Sequence, residues 1–176
     1  ELSLGPKRFT DLKAGLVGAS PNVLSQRLHE LEASGVVQRR SAGGARYELS
    51  EWGQQLRPLL LQLGLWGARS PVPRGAELGV DALMLALEAT FVPAKAADLD
   101  ARYELRFGEE RFAVTVEHET ILITRGSSRD PHAVIETDPS SLRGLVFGDL
   151  KLANADAVIS GNARLGRAFL RLFARP

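Results

Sequence analysis

Ser20–Ser34, reading SPNVLSQRLHELEAS, is the stretch that decides how the first part of this 176-residue chain folds. Ser20 is a good N-cap, and Pro21 takes the first helical position, where a missing N–H costs nothing. Leu24, Leu28 and Leu31 recur at i, i+4 and i+7 and share one apolar face. Gly35 follows where a left-handed residue closes a helix. Opposite the leucines lie Asn22, Gln26 and His29, with Ser25 and Arg27 on the flanks. On an isolated helix such a side is a solvated face; its neighbours give it another meaning.

Upstream, Phe9, Leu12 and Leu16 have helical spacing, and Val17-Gly18-Ala19 reads as a short turn. Two helices so joined form a helix-turn-helix, with the second in the recognition position. Downstream, Val36–Arg40 and Arg46–Leu49 are strand-like runs joined by Ser41–Ala45 with its Gly-Gly pair, a hairpin signal. A hairpin directly after a recognition helix is a wing, and it places Arg39, Arg40 and Arg46 where a wing meets backbone phosphates. Ser50 caps a further helix with the apolar stripe Leu56, Leu59, Leu60, Leu63 and Trp66, which Pro58 is expected to bend or restart.

The runs GPKRF (5–9), SPNVLSQRL (20–28), ELEASGVV (30–37) and YELSEWG (47–53) resemble, in order and spacing, the HxlR-type winged-helix regulators, relatives of the MarR group. The resemblance covers nearly all of Glu1–Arg69. It implies a homodimer on a pseudo-palindromic operator in double-stranded DNA, each recognition helix in a major groove. The sequence departs from the family pattern in two ways: the family's first helix is missing or precedes Glu1, and the wing here is short. Asn22 and Gln26 carry the paired donor and acceptor that read an adenine edge, while Arg27 suits a guanine or a phosphate. Ser20, Ser25 and Lys7 suit phosphates, which position a protein without specifying sequence. Arg8 and Pro21 complete the candidate DNA-contact set.

Composition is that of an ordinary globular chain, with 44% hydrophobic and 24% charged residues. Residues 1–70 hold nine basic and six acidic side chains, a net +3; residues 71–176 hold thirteen and fifteen, a net −2. The basic half is the one expected to meet a polyanion. With no cysteine, thiol chemistry and disulfides are excluded from these residues. No run of about eighteen apolar residues and no leader pattern is read, so no membrane partner is expected and the cytoplasm is the expected compartment.

The segment GARSPVPRG (67–75) has two prolines and two glycines and marks a boundary. Three parts are expected: a winged helix-turn-helix over 1–68, a linker over 69–77 and a second domain over 78–176. In the last, Leu83, Met84, Leu87 and Phe91 have helical spacing. Period-two runs follow around Tyr103–Phe107, Phe112–Val116 and Ile121–Ile123, separated by short polar turns, which is an antiparallel meander. Ala133–Thr137 and Ala157–Ser160 read as further strands. Asp138 and Asn162 open two more helices. The fold class is therefore α+β: a winged helix-turn-helix plus an antiparallel five-stranded sheet covered by helices.

HAVIETDPSSLRGLVFGDL (132–150) and AVISGNARLGRAFLRLF (157–173) are similar to the sterol carrier protein family in their strand–helix and closing strand–glycine–helix segments. That resemblance implies an apolar tunnel between sheet and helices for a fatty-acyl or sterol-like small molecule. Its candidate lining is Leu83, Leu87, Phe91, Phe112, Val114, Leu145, Phe147, Phe169 and Phe173. A sealed core would use the same residue types.

His29, His118 and His132 lack metal-ligand spacing, and neither a phosphate loop nor a nucleophile elbow is present, so no metal, cofactor or enzymatic activity is expected. Three arrangements stay open. The second domain is an effector sensor for the DNA-binding half, or a ligand-free packing and dimerisation module. In the third, the chain is a lipid carrier whose winged helix contacts protein.

Overall fold

The computed structural model describes residues 1–16, 18–41, 44–67 and 79–175, which divide into two compact units, Glu1–Leu63 and Gly64–Pro176. The expected linker, together with Val17, Ala42 and Gly43, lies outside the described residues. No described helix is long and apolar enough to cross a membrane.

In the first unit, β1 (Lys7–Arg8) leads into α1 (Phe9–Gly15) and α2 (Pro21–Ala33). The hairpin β2 (Val37–Arg40) and β3 (Arg46–Leu49) follows, then α3 (Glu51–Gln54) and α4 (Arg57–Gly67). The Ser20 hydroxyl accepts from the Val23 amide at 3.3 Å and opens α2. Gly35, at φ +74°, closes it, with the Gly35 and Val36 amides returning to the Glu32 and Leu31 carbonyls at 3.0 Å. Leu24 and Leu28 are buried on Leu12, with Leu2, Phe9 and Tyr47 packed around them. Leu31 stays 39% exposed, because the short α1 supplies only Leu12 as a buried partner.

Behind the wing, Gly53 is required by close approach: a Cβ there would sit 2.1 Å from the Val36 carbonyl oxygen. Ser50 ties the same junction, accepting from the Gly53 amide at 3.0 Å and donating to the Gly35 carbonyl at 2.6 Å. Pro58 restarts the helix rather than bending it. The first helical piece ends at Gln54, and Pro58 occupies the second position of α4, where no intrahelical N–H is needed.

The second unit opens with α5 (Val80–Thr90) and then the meander β4 (Ala101–Phe107), β5 (Glu110–Glu117) and β6 (Thr120–Arg125). β7 (Ala133–Thr137), α6 (Pro139–Phe147), β8 (Ala157–Gly161) and α7 (Ala163–Phe169) complete it. This is the element order expected from the sterol carrier protein resemblance. The sheet order is β6-β5-β4-β7-β8, and one pairing corrects the expected all-antiparallel sheet: β7 runs parallel to β4. The cause is the connection Gly126–His132, which crosses the sheet instead of turning back. Along its way the Gly126 amide donates to the Arg111 carbonyl at 2.8 Å, the Ser128 amide to the Glu104 carboxylate at 2.9 Å, and the His132 amide to the Arg102 carbonyl at 2.8 Å.

That crossing strap also covers an acidic residue. Glu104 is only 4% exposed, and it pairs with Arg106 at 2.7 Å. Burial pushes its carboxyl upward, but the Arg106 guanidinium and the Ser128 amide outweigh this and hold it below the usual carboxylate range. The opposite face of the sheet forms the core, where Tyr103, Leu105, Phe112, Val114, Ile123 and Ile135 are fully buried under α5, α6 and α7. Arg125 joins sheet to helix by pairing with Asp81 in the first turn of α5 and with Glu110, and its guanidinium lies 4.7 Å from the Phe112 ring centre.

Asp138 caps α6, accepting from the Ser140 and Ser141 amides at 2.8 and 2.9 Å. The Ser140 and Ser141 hydrogen bonds hold its carboxyl down at about 2. Asp138→Ala is expected to lower stability by about 1 kcal/mol in urea unfolding at pH 7, and Asp138→Asn by less. Because the folded value is depressed, the wild-type advantage over Asp138→Ala should be complete above an unfolded value of about 3.9 and fade as pH falls toward 2. An advantage that does not change with pH would contradict the charged cap.

Candidate nucleic-acid interface and apolar groove

With Leu24 and Leu28 pinned inward, α2 turns Asn22, Ser25, Gln26, Arg27 and His29 outward, and all five are exposed, as are Ser20 and Pro21 at its start. The expected reader and phosphate-grip residues of the helix therefore share one accessible surface. Two of them are held in the free protein. Gln26 donates to Glu30 at 3.0 Å and Arg27 to its other oxygen at 2.7 Å. The hydrogen bonds from Arg27 and then Gln26 hold the Glu30 carboxyl below its usual value. Glu30 escaped the sequence reading because it stands one turn beyond the residues that face a groove edge, among ordinary helix-surface charges.

The wing is wider than a hairpin. β1 adds to β3, giving the order β1-β3-β2, and two residues are too few to leave a periodic signal. Arg8 pairs in register with Arg46, and Arg46 with Arg40, so three exposed arginines stand in one row across adjacent strands. Directly opposed side chains on neighbouring strands have Cβ atoms about 5 Å apart, and like charges so placed repel. Only Arg40 of the three has an ion pair among the described residues, with Glu48 at 2.5 Å. A row of this kind is electrostatically suited to a line of phosphates.

Register also divides the expected arginines. Arg39 aligns with Tyr47 and Lys7, the other side of the strands, where its guanidinium lies 5.9 Å from the Tyr47 ring centre. It does not belong to the row formed by Arg8, Arg46 and Arg40. Lys7 corrects the sequence expectation more strongly. It is 6% exposed and ion-paired with Glu1, so it is a buried support for the wing and not a phosphate grip. Its period-two position on β1 points it inward while Arg8 points out.

In the second unit the expected tunnel lining is packed shut. Leu83, Leu87, Phe112, Val114 and Phe169 are fully buried. The space between sheet and helices is filled by rings: Tyr103 to Phe169 at 4.9 Å, Phe169 to Phe173 at 5.2 Å, and Phe173 to Phe91 at 6.3 Å between centres. Of the nine candidates, Leu145 and Phe173 do border open space. They line a surface groove of about 460 Å³ together with Leu150, Leu170, Arg167 and Arg171. Phe91 and Phe147 are half-buried at the margin of the core. The Tyr103 hydroxyl is buried with no hydrogen-bond partner among the described residues, and burial pushes it up to about 12.

Residues 1–73 match the HxlR-like helix-turn-helix family. The HTH-type transcriptional regulator YtcD of Bacillus subtilis (strain 168) is 39% identical over 71 residues, which are 38% of this chain and 56% of YtcD. The crystal structure of the putative regulator ytcD aligns at 39% identity over 38% of this chain and 72% of that chain, with a TM-score of 0.35. The chain spans a little over half the length of the first curated relatives it matches, at 56% and 57%. Over 96% of the chain there is a fold likeness to 32% of the sec-alkylsulfatase Pisa1 of Pseudomonas sp., at 16% identity and a TM-score of 0.51. A UbiJ-SCP2 ubiquinone synthesis protein aligns over 69% of this chain and 95% of that chain, at 11% identity and a TM-score of 0.41.

Glu30 places a carboxylate against two candidate readers and accepts a hydrogen bond from each. Glu30→Ala is expected to raise affinity for any duplex by about two- to fivefold, the size of one or two surface pairs, in fluorescence anisotropy at low salt. Unchanged affinity would show that Gln26 and Arg27 leave Glu30 without cost or do not reach the DNA.

Proposed function

Since the chain belongs, through residues 1–73, to the HxlR-like helix-turn-helix family, we propose that it is a sequence-specific DNA-binding transcriptional regulator, acting in the cytoplasm as a homodimer on a pseudo-palindromic operator. The observation that carries this reading is the joint exposure of the α2 polar face and the Arg8–Arg46–Arg40 row. The helix would read base edges in the major groove, and the row would grip the flanking backbone.

Dimerisation is supported by α4. Its stripe Leu59, Leu60, Leu63 and Trp66, with Leu56 just before it, remains between 42% and 71% exposed. So large an apolar stripe on one helix is the mark of a contact surface, and a second copy of the chain is the partner that a palindrome requires. The second unit would sense a small amphipathic molecule and shift the spacing or angle of the two reading helices, altering operator affinity. Its open groove supports that role. Its filled core supports the rival reading of a packing module.

Gln26→Ala should cost roughly 1–3 kcal/mol on the cognate site and relax preference at one base pair. Arg46→Ala should weaken all sequences alike and flatten the log–log salt slope by about 0.9 for each phosphate it no longer neutralises. The two effects are read from titrations on cognate and scrambled duplexes, and matching behaviour of the two variants would contradict this division of labour. Leu59→Glu with Leu63→Glu should leave a monomer in sedimentation analysis with its circular dichroism unchanged; a persisting dimer would move the interface elsewhere.

A further inference from the structure

In the second unit, Arg106 pairs with Glu104, Arg125 with Asp81 and Glu110, and Arg175 with Asp149, while Arg102 and Arg111 donate to backbone carbonyls. Arg164, Arg167 and Arg171 differ from these. All three are exposed, and none makes a side-chain hydrogen bond or ion pair among the described residues. They share one surface of α7 and the turn after it, around Ala168. That side is left to solvent because the intervening Gly166 and Phe169 seat inward, against Ile159 and Tyr103. Like charges three and four residues apart on a helix repel, so the cluster has a cost that no described partner offsets.

Lys95 extends the patch. It borders the adjoining surface with Ala168 and Arg171, and its ammonium donates to the Phe173 carbonyl at 2.9 Å. Asp98 borders the same surface, so four cations stand beside one carboxylate. The net charge over residues 71–176 is −2, so this concentration of positive charge is local and not the by-product of a basic domain.

We propose that this face is a second surface for the backbone of duplex DNA, with Arg164, Arg167 and Arg171 gripping phosphates of the duplex that the winged unit holds. The proposal rests on the DNA-binding reading of the first unit and extends the contact to the second. From Arg164 to Arg171 the helical rise spans about 10 Å. Each strand of a duplex presents one phosphate per about 3.4 Å of axis, about three over that length, one for each arginine. Guanidinium groups match phosphate in charge and in fork geometry. Covalent connection to a winged unit on DNA brings the patch to the duplex at high effective concentration. Contacts of this kind add affinity and salt dependence without sequence preference.

The test is fluorescence anisotropy of the whole chain on the promoter duplex upstream of its own gene and on a scrambled duplex of equal length, across a salt series. Arg164→Gln with Arg167→Gln and Arg171→Gln should weaken both duplexes by the same factor, about tenfold or more at low salt. It should flatten the log–log slope by about 2.7 per chain, about 0.9 for each lost phosphate. Arg102→Gln with Arg111→Gln and Arg129→Gln removes the same charge from the opposite side of the sheet, where Arg102 and Arg111 alternate with the buried Tyr103 and Phe112. That variant should leave the slope within about 0.9 of wild type. Replacing the three α7 arginines by lysine should keep the slope, because a point charge still holds a phosphate. An unchanged slope in the α7 glutamine variant, while Arg46→Ala still flattens it, overturns this proposal and leaves the reading of the winged unit standing. Equal flattening by both glutamine triples, or by the lysine triple, assigns the effect to net charge or to structure and overturns it as well. So does an α7 glutamine variant that keeps its duplex affinity but no longer floats with phosphatidylglycerol vesicles, which makes the face a membrane contact. A wild-type chain with no salt-dependent affinity for either duplex overturns both readings together.

Discussion

The seating of Leu24 and Leu28 on Leu12 is the constraint from which the first unit follows. A helix has one apolar stripe, and once that stripe is pinned the opposite side has no choice of direction. Asn22, Gln26 and His29 are thereby held outward on a helix closed at both ends, by Ser20 at its start and by Gly35 at its end. The same Gly35–Val36 corner receives Ser50 and the close contact of Gly53, so helix, wing and following helix meet at one short junction. The reading surface is thus positioned by backbone geometry as much as by apolar packing, which suits a site whose side chains must be placed to within a fraction of an ångström.

Electrostatics divides the labour of that surface. The wing row Arg8–Arg46–Arg40 concentrates charge with one internal counter-ion, Glu48, while the reading helix carries its own carboxylate, Glu30, against Gln26 and Arg27. A strongly basic wing with a self-satisfied reading helix favours backbone contact first and base contact second. That order fits a protein that searches non-specifically and locks only where base edges outbid Glu30. In the second unit, charge is handled differently. Glu104 and Asp81 are buried and matched by Arg106 and Arg125, so these polar groups lock the fold.

The sequence carried most of the architecture because its signals are local. Caps at Ser20, Ser50, Asp138 and Asn162 each sit where a helix begins, and the alternation of Tyr103–Phe107 and Phe112–Val116 sets which face is buried. What escaped it depends on long-range register. The strand β1 is too short to show a period, yet it decides that Lys7 is buried and Arg8 exposed. The split of Arg39 from Arg40 follows from pairing with β3, and the parallel β4–β7 pair follows from a strap whose path no propensity encodes. The apolar tunnel was implied by the sterol carrier protein resemblance, but residue type cannot tell a lined cavity from rings that fill it. Here Tyr103, Phe169 and Phe173 fill it.

The central claim is that the first unit binds duplex DNA at a specific site through charge and base contact together. Its most direct test is binding of the full chain to the promoter region upstream of its own gene, against a scrambled duplex of equal length, across a salt series. The account predicts a site-specific complex whose affinity falls steeply and linearly in log–log form as salt rises, with the scrambled duplex far weaker throughout. Equal affinity for both duplexes at every salt concentration, with a shallow slope, would contradict it.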